Sequence, residues 1–118
     1  MRAIVVDHHT DVASWIVTEL ETRGASVRVA NDAAAALAAI SAFTPSVMLV
    51  EIALHDMNGW ELARRIRRLC GDGTPRLIAI SALDHPTHHE QSRLAGFDHH
   101  LVKPLRPDKL ATAVFGEG

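Results

Sequence analysis

Four short apolar runs, each ending at a polar residue that can do chemistry, constrain the fold of this chain most strongly. The runs end at Asp7, Glu51, Ser81 and Lys103. Between them lie stretches with helical spacing, and strands that alternate with helices predict a parallel sheet covered by helices on both faces. Parallel strands end at the same edge of a sheet, where open α/β folds bind ligands. We therefore expect the four polar side chains to face one crevice.

The predicted strands and helices alternate along the whole chain, with no linker or internal repeat. Strands are predicted at Arg2–Val6, Ser26–Ala30, Val47–Glu51, 77–80 and His99–Val102. The first predicted helix runs from a cap at Thr10 or Asp11 to about Arg23, and the second from a cap at Asn31 or Asp32 to about Phe43. The third begins at Gly59 and turns Leu62, Ile66 and Leu69 inward. The fourth runs from Pro86 to about Gly96, and the fifth from Asp108 to about Phe115. A final helix this short leaves open whether the chain is a minimal protein or a piece of a longer one.

Length, charge and cysteine content restrict the class of protein. A chain of 118 residues is long enough for one domain with a single core. A net charge of −2 gives no electrostatic reason to expect a nucleic acid or an anionic membrane as the partner. The lone Cys70 excludes an internal disulfide, and no apolar run approaches the ~20 residues that span a bilayer. We expect a cytoplasmic domain.

Two groups of basic side chains leave alternatives open. Eight histidines include the adjacent pairs 8–9, 88–89 and 99–100, which either bind metal or respond to pH, or lie on solvated loops without a role. The predicted third helix carries four arginines on its outer side, and these either bind phosphates or form a solvated face. The arginines are Arg64, Arg65, Arg67 and Arg68.

Read in order, the strand ends form a recognisable series. They are Val5–Val6–Asp7–His8, Leu49–Val50–Glu51–Ile52, Ile80–Ser81–Ala82 and Leu101–Val102–Lys103–Pro104. This series resembles the receiver domain of two-component response regulators, and the resemblance is strongest at residues 54–59, 77–82 and 95–104. It implies a single receiver domain over residues 1–118. The implied fold is flavodoxin-like: a doubly wound five-stranded parallel sheet, order 2-1-3-4-5, in three α/β/α layers, with helices 1 and 5 on one face.

The resemblance also implies a role for each strand-end residue. Glu51 falls on the position of the phosphoacceptor aspartate, which takes a phosphoryl group from a histidine kinase. Ser81, Ala82 and Lys103 fall on the phosphate pocket, and Ser81 and His100 on the two switch positions. Asp7, Glu51 and Ala53 fall on a Mg²⁺ site whose second acidic residue is replaced by His8. The peptide bond before Pro104 is expected to be cis.

Two departures from the family pattern act against phosphorylation. Glu51 places its carboxylate ~1.5 Å further out than an aspartate would, about one carbon–carbon bond, and a misplacement near 1 Å can cost ~10²-fold in rate. His8 removes a negative charge, and imidazole is a poor ligand for Mg²⁺, which prefers oxygen. His55 also replaces a common proline. We predict an atypical, phosphorylation-independent receiver that requires no cofactor and binds Mg²⁺ weakly at most.

Alternatives remain for the single residues of the site. Glu51 either supplies a permanent negative charge beside Ser81 and Lys103 or merely keeps Lys103 paired. Ser81 is either a pocket residue or an ordinary strand-end hydroxyl bonded to the backbone, and His100 is either a switch or a packed ring. Phosphate acceptance on Glu51 or Asp56 is a further possibility.

The function classes are a signalling module, a sensor and an enzyme. The first acts through a histidine kinase, an effector or a second copy, bound by the surface of helix 4, strand 5 and helix 5, without direct contact to nucleic acid or membrane. A metal or pH sensor would use the histidines at the same sheet edge, which are His8, His9, His55, His85 and His88. An enzyme is disfavoured because no Gly-rich phosphate loop, nucleophile elbow or Ser–His–Asp arrangement occurs.

Overall fold

The five predicted strands form one parallel sheet. A computed structural model describes residues 1–116, so the last two residues of the predicted 1–118 domain lie outside the described residues. The strands are β1 (Arg2–Val6), β2 (Ser26–Ala30), β3 (Val47–Glu51), β4 (Arg76–Ser81) and β5 (His99–Val102). All pairings are parallel, in the order β2-β1-β3-β4-β5. The predicted fold class and strand order are confirmed, and β4 extends one residue beyond each end of its predicted range.

The helices begin and end within a few residues of their predicted bounds. They are α1 (Thr10–Thr22), α2 (Ala33–Phe43), α3 (Gly59–Cys70), α4 (Pro86–Ala95) and α5 (Pro107–Phe115), and Gly71–Gly73 forms a single 3-10 turn. The N-cap of α2 is Asp32, whose side chain accepts a hydrogen bond from the backbone N–H of Ala35. The predicted cap of α1 at Thr10 or Asp11 is wrong. His9 is the N-cap residue there, and its side chain makes no capping bond.

Alternate residues of the buried strands divide the core between the two faces of the sheet. On one face they pack against α2, α3 and α4, and on the other against α1 and α5. The predicted distribution of helices is therefore confirmed. Every residue of β3 is buried, as expected of a central strand. Among residues 1–116, no helix is both long and apolar enough to cross a membrane.

Helix α3 differs from its predicted orientation at two residues. Leu69 is 65% exposed, because the buried stripe follows a four-residue spacing from Leu62 and Ile66 to Cys70, which packs against the core. Arg67 is half-buried, and its guanidinium donates to the backbone carbonyl of Gly96. The other three arginines lie on the solvated face within reach of the Glu61 carboxylate.

Candidate functional site

Two carboxylates lie side by side at the carboxyl edge of the sheet. Val6 pairs with Val50, so the residues that follow them, Asp7 and Glu51, occupy neighbouring positions at the ends of β1 and β3. Both residues are almost completely buried, with 1% and 3% of their surface exposed. Buried charges of this kind need a partner of opposite sign.

Lys103 supplies that partner from the end of β5. Its Nζ lies 2.7 Å from Glu51 Oε2 and 3.4 Å from Asp7 Oδ2. Neither oxygen accepts a hydrogen bond of regular geometry from the residues described, so these contacts are electrostatic ion pairs rather than directed hydrogen bonds. The three groups together carry one net negative charge.

Backbone contacts fix the positions of Lys103 and Glu51. The Lys103 N–H donates to the Ser81 carbonyl at 2.8 Å, which ties β5 to the end of β4. The following peptide bond, Lys103–Pro104, is cis. Glu51 Oε1 accepts from the Ala53 N–H at 3.1 Å, so the loop after β3 orients the carboxylate. Lys103 and both carboxylates are thus held at the one edge where the sequence places them.

Ser81 is buried at the same edge but bonds to its own loop. Its Oγ accepts from the Leu83 N–H at 2.9 Å, and Ala82 lies between them, exposed. This is the local backbone bond that the sequence left as one alternative. The roles of Ser81 and Ala82 in a phosphate pocket stay predictions.

His9, one of the five edge histidines considered for a sensor, makes the closest contact of any described histidine with the site. Asp7 Oδ1 accepts from the His9 backbone N–H at 2.9 Å and lies 2.8 Å from its Nδ1. The bond from a side-chain oxygen to the backbone two residues on is an Asx turn, typical of aspartate after a strand. Lys103 Nζ lies 3.3 Å from the same Nδ1. The sequence placed His9 at this edge but did not predict its direct contact with Asp7 and Lys103.

The other edge histidines form two separate groups. His8 is exposed, and its ring is tilted by 35° against that of His9 with the centroids 4.0 Å apart. It meets the ring of His55 edge-on at 6.4 Å. On α4, His85 accepts from the Thr87 N–H and caps the helix, and His88 stacks on Trp60 of α3. The five histidines proposed for a sensor therefore do not surround one point.

A Mg²⁺ ion, which the family resemblance implies, fits these donors poorly. The Lys103 ammonium already lies against the inward oxygens of Asp7 and Glu51. The position of a further acidic ligand holds the exposed imidazole of His8, whereas Mg²⁺ requires near-octahedral oxygen ligation. The predicted weak Mg²⁺ site at Asp7, Glu51 and Ala53 stays a prediction, and we derive no chemical step through it.

His100, the predicted switch residue, joins three parts of the molecule. Trp60 Nε1 donates to Ser92 Oγ at 2.9 Å, and Ser92 Oγ lies 2.7 Å from His100 Nδ1. On its other side, His100 Nε2 lies 2.9 Å from the Leu83 carbonyl, in the loop after Ser81. All partners are satisfied when the Ser92 hydroxyl donates to Nδ1 and a neutral ring donates through Nε2.

Burial lowers the pKa of His100 below its ordinary value, because desolvation penalises the charged ring. Neighbouring His89 and His88 lower it further, whereas the Leu83 carbonyl and Asp84 act in the opposite direction. The neutral form that satisfies the hydrogen bonds is therefore also the form favoured by the surroundings. The sequence missed Ser92, although a buried serine three residues before Ala95 on the inner face of α4 was a possible signal.

Asp56 lies on the loop between β3 and α3, where its carboxylate serves α2. Its two oxygens accept from the backbone N–H groups of Ala33 and Ala34, both at 3.1 Å. The bond from Ala33 is the main reason why the pKa of Asp56 lies below its usual value. This carboxylate is a helix cap rather than a member of the buried site.

Comparison with known proteins agrees with this geometry. The model of the response regulator receiver domain matches residues 3–115. The chain belongs to this family. Receiver domains are signalling domains of two-component systems, and they interact with proteins such as kinases and effectors. They are generally not enzymes.

Two relatives and one solved structure show how far the similarity extends. This receiver is 32% identical over 114 residues to an uncharacterised 14.6 kDa protein of Leptolyngbya boryana, covering 97% of the chain and 87% of that protein. It is 30% identical over 110 residues to the response regulator MprA of Mycobacterium avium, covering 93% of the chain and 47% of MprA. A CheY-like receiver domain protein from Methanospirillum hungatei superposes with a TM-score of 0.87 at 27% identity, over 97% of this chain and 90% of that one. The chain thus spans about half the length of MprA.

Proposed function

We propose that this receiver domain works in two-component or phosphorelay signalling without being phosphorylated. The ion pair between Lys103 Nζ and Glu51 Oε2, at 2.7 Å, is the observation that carries the proposal. In the family pattern, this lysine contacts the oxygens of the transferred phosphoryl group. Here a carboxylate of the chain itself already neutralises the ammonium.

The energetics of phosphoryl transfer support the same conclusion. Transfer depends on positioning and on neutralising charge around the transferred group. Attack by Glu51 would first have to separate a buried ion pair, which is costly because it leaves charges uncompensated. With His8 at an acidic position, the chain also offers fewer oxygen ligands for the cation that would assist. Both costs add to the barrier.

The output of such a domain is a protein contact. We propose that α4, β5 and α5 form the surface that binds a histidine kinase, an effector or a second copy of the chain in the cytoplasm, with no direct contact to nucleic acid or membrane. Between α4 and β5 this surface carries the rings of His89 and His100, which stack with centroids 4.1 Å apart. The domain has a signalling and not an enzymatic role.

Intact mass measurement after incubation with a small phosphodonor and Mg²⁺ tests the proposal. We expect no added HPO₃ on the wild-type chain. The matched comparison is the double variant Glu51→Asp, His8→Asp, which shortens the acceptor and returns the acidic ligand, and which we expect to bind a phosphate analogue in a Mg²⁺-dependent manner.

A stoichiometric phosphoryl adduct on the wild-type chain would overturn the proposal, and peptide mapping would locate it on Glu51 or Asp56. A double variant that still binds no phosphate analogue in the presence of Mg²⁺ would show that Glu51 and His8 are not what prevents phosphoryl transfer. That result would also overturn the proposal, which rests on Glu51 and His8.

A further inference from the structure

We propose that Asp7, His8 and His9 bind a borderline divalent transition metal such as Zn²⁺. This inference does not depend on whether Glu51 accepts phosphate. It follows from the disagreement between the donors at this edge and the hard cation that the family resemblance implies. His8 stands at the position of an acidic ligand in the family pattern, and the imidazole of His9 lies beside Asp7.

The donor atoms are close enough to share one ion. One ligand atom from each of the three residues lies within 4.8 Å of the other two. Asp7 Oδ1 and His9 Nδ1 are 2.8 Å apart. Tetrahedral Zn²⁺ with bonds of about 2 Å places neighbouring ligand atoms about 3.3 Å apart, so this pair has to open by about 0.5 Å. That movement is within reach of the exposed His9 side chain.

The two oxygens of Asp7 have different partners. Oδ2 is buried and lies 3.4 Å from the Lys103 ammonium, which neutralises it. Oδ1 faces the His9 imidazole at 2.8 Å and is therefore the oxygen that Asp7 offers to a metal. Asp7 itself is 1% exposed, so the core of the protein holds this ligand in place.

The chemistry of the donors selects the metal. Neutral imidazole suits Zn²⁺, Ni²⁺ and Cu²⁺, whereas Mg²⁺ takes oxygen ligands. When the metal binds, the Nδ1 of His9 ligates the metal and no longer contacts Asp7 Oδ1. The neutral ring then carries its proton on Nε2. The rings of His8 and His9 lie with their centroids 4.0 Å apart at an angle of 35°, and His55 lies edge-on to His8 at 6.4 Å. Water can complete the coordination, because His8 and His9 are exposed.

Thermal unfolding of the untagged chain with Zn²⁺ or Mg²⁺ tests the inference. A ligand of the folded state at about a hundredfold excess over Kd raises the Tm by roughly 10 °C for a domain of this size. We expect this shift with Zn²⁺ and not with Mg²⁺ at the same concentration. Visible absorption of Co²⁺ bound at the same site provides a second readout that does not depend on stability.

Variants of the exposed histidines locate the site without disturbing the core. We expect His8→Ala and His9→Ala each to weaken Zn²⁺ binding at least ~10-fold. His99→Ala is the matched control, since His99 is an exposed histidine at the start of β5, at the opposite edge of the sheet, and its loss should leave binding unchanged. No Tm shift with excess Zn²⁺, or binding unchanged in both the His8 and His9 variants, would overturn the inference.

Discussion

Replacing Lys103 with Met keeps most of the aliphatic side chain and removes the cation that two buried carboxylates share. At an effective dielectric constant of ~20, the attraction to Glu51 at 2.7 Å is about 6 kcal/mol and that to Asp7 at 3.4 Å about 5 kcal/mol. Desolvation offsets much of both. Removing one partner of a buried pair nevertheless costs about 3–5 kcal/mol, because a charge is left uncompensated. We expect that loss in the free energy of unfolding and a Tm lowered by roughly 15 °C.

A double-mutant cycle separates the ion pair from other effects of the substitution. Glu51→Gln should lower the free energy of unfolding less than Lys103→Met does. Without the Glu51 carboxylate, Lys103 still pairs with Asp7, whereas without Lys103 both carboxylates lose their cation. The double variant should be more stable than the sum of the single losses implies, with a coupling of about 1–3 kcal/mol.

Urea unfolding at neutral pH, followed by circular dichroism, measures all four chains of this cycle. If Lys103→Met stays within about 0.5 kcal/mol of the wild type, like an ordinary surface substitution, the buried triad of charges is not what holds this edge together. A coupling close to zero would lead to the same conclusion. Either result would contradict the proposal that this ion pair keeps Glu51 from accepting phosphate.

Three further substitutions probe the surroundings of the site. The pKa of His100 in the folded protein lies below its ordinary 6.5, so below that pH the unfolded chain binds more protons than the folded one. The stability that the neutral ring contributes is therefore complete above pH 6.5 and is lost as the pH falls below 6.5 towards the pKa of the folded state. The Tm difference between wild type and His100→Phe should therefore change between about pH 7.5 and about pH 5.5, and a constant difference would contradict the buried neutral ring. Asp56→Asn removes the charged acceptor that binds the N–H of Ala33 in the first turn of α2. We expect a modestly lower Tm at neutral pH, and a smaller difference at a pH low enough to protonate the wild-type carboxyl. Gly59→Ala should cost about 1–3 kcal/mol in urea unfolding, because its Cβ would lie 2.7 Å from the carbonyl at the end of β3. Gly73→Ala, with open space around the new Cβ, is the control, and equal losses in both variants would contradict the close contact.

The sequence predicted the architecture because its strands are uninterrupted apolar runs bounded by turn residues. Topology then brings Asp7, Glu51 and Lys103 together, since parallel strands end at one edge whatever the side chains do. For the same reason, the order of the strand-end motifs was sufficient to suggest the family.

What the sequence did not predict depends on side-chain direction or on contacts between distant segments. The contact of His9 with Asp7 was not predicted, because the turn after β1 decides which imidazole approaches the carboxylate. The bond from Trp60 to Ser92 joins two helices across 32 positions, and no periodicity within either helix indicates it. Asp56 likewise caps a helix that begins 23 residues earlier, whereas capping rules search the residues adjacent to a helix start.

The absence of a side chain at Gly59 has a mechanical consequence. A Cβ there would overlap the Glu51 carbonyl and lie 2.9 Å from the Ile52 Cα, so the first turn of α3 presses directly on the backbone that bears the acceptor-equivalent residue. Because no gap separates the two backbones, we expect a displacement of the amino end of α3 to displace the end of β3 as well. This contact therefore links the surface of α3 to the backbone of the buried Glu51.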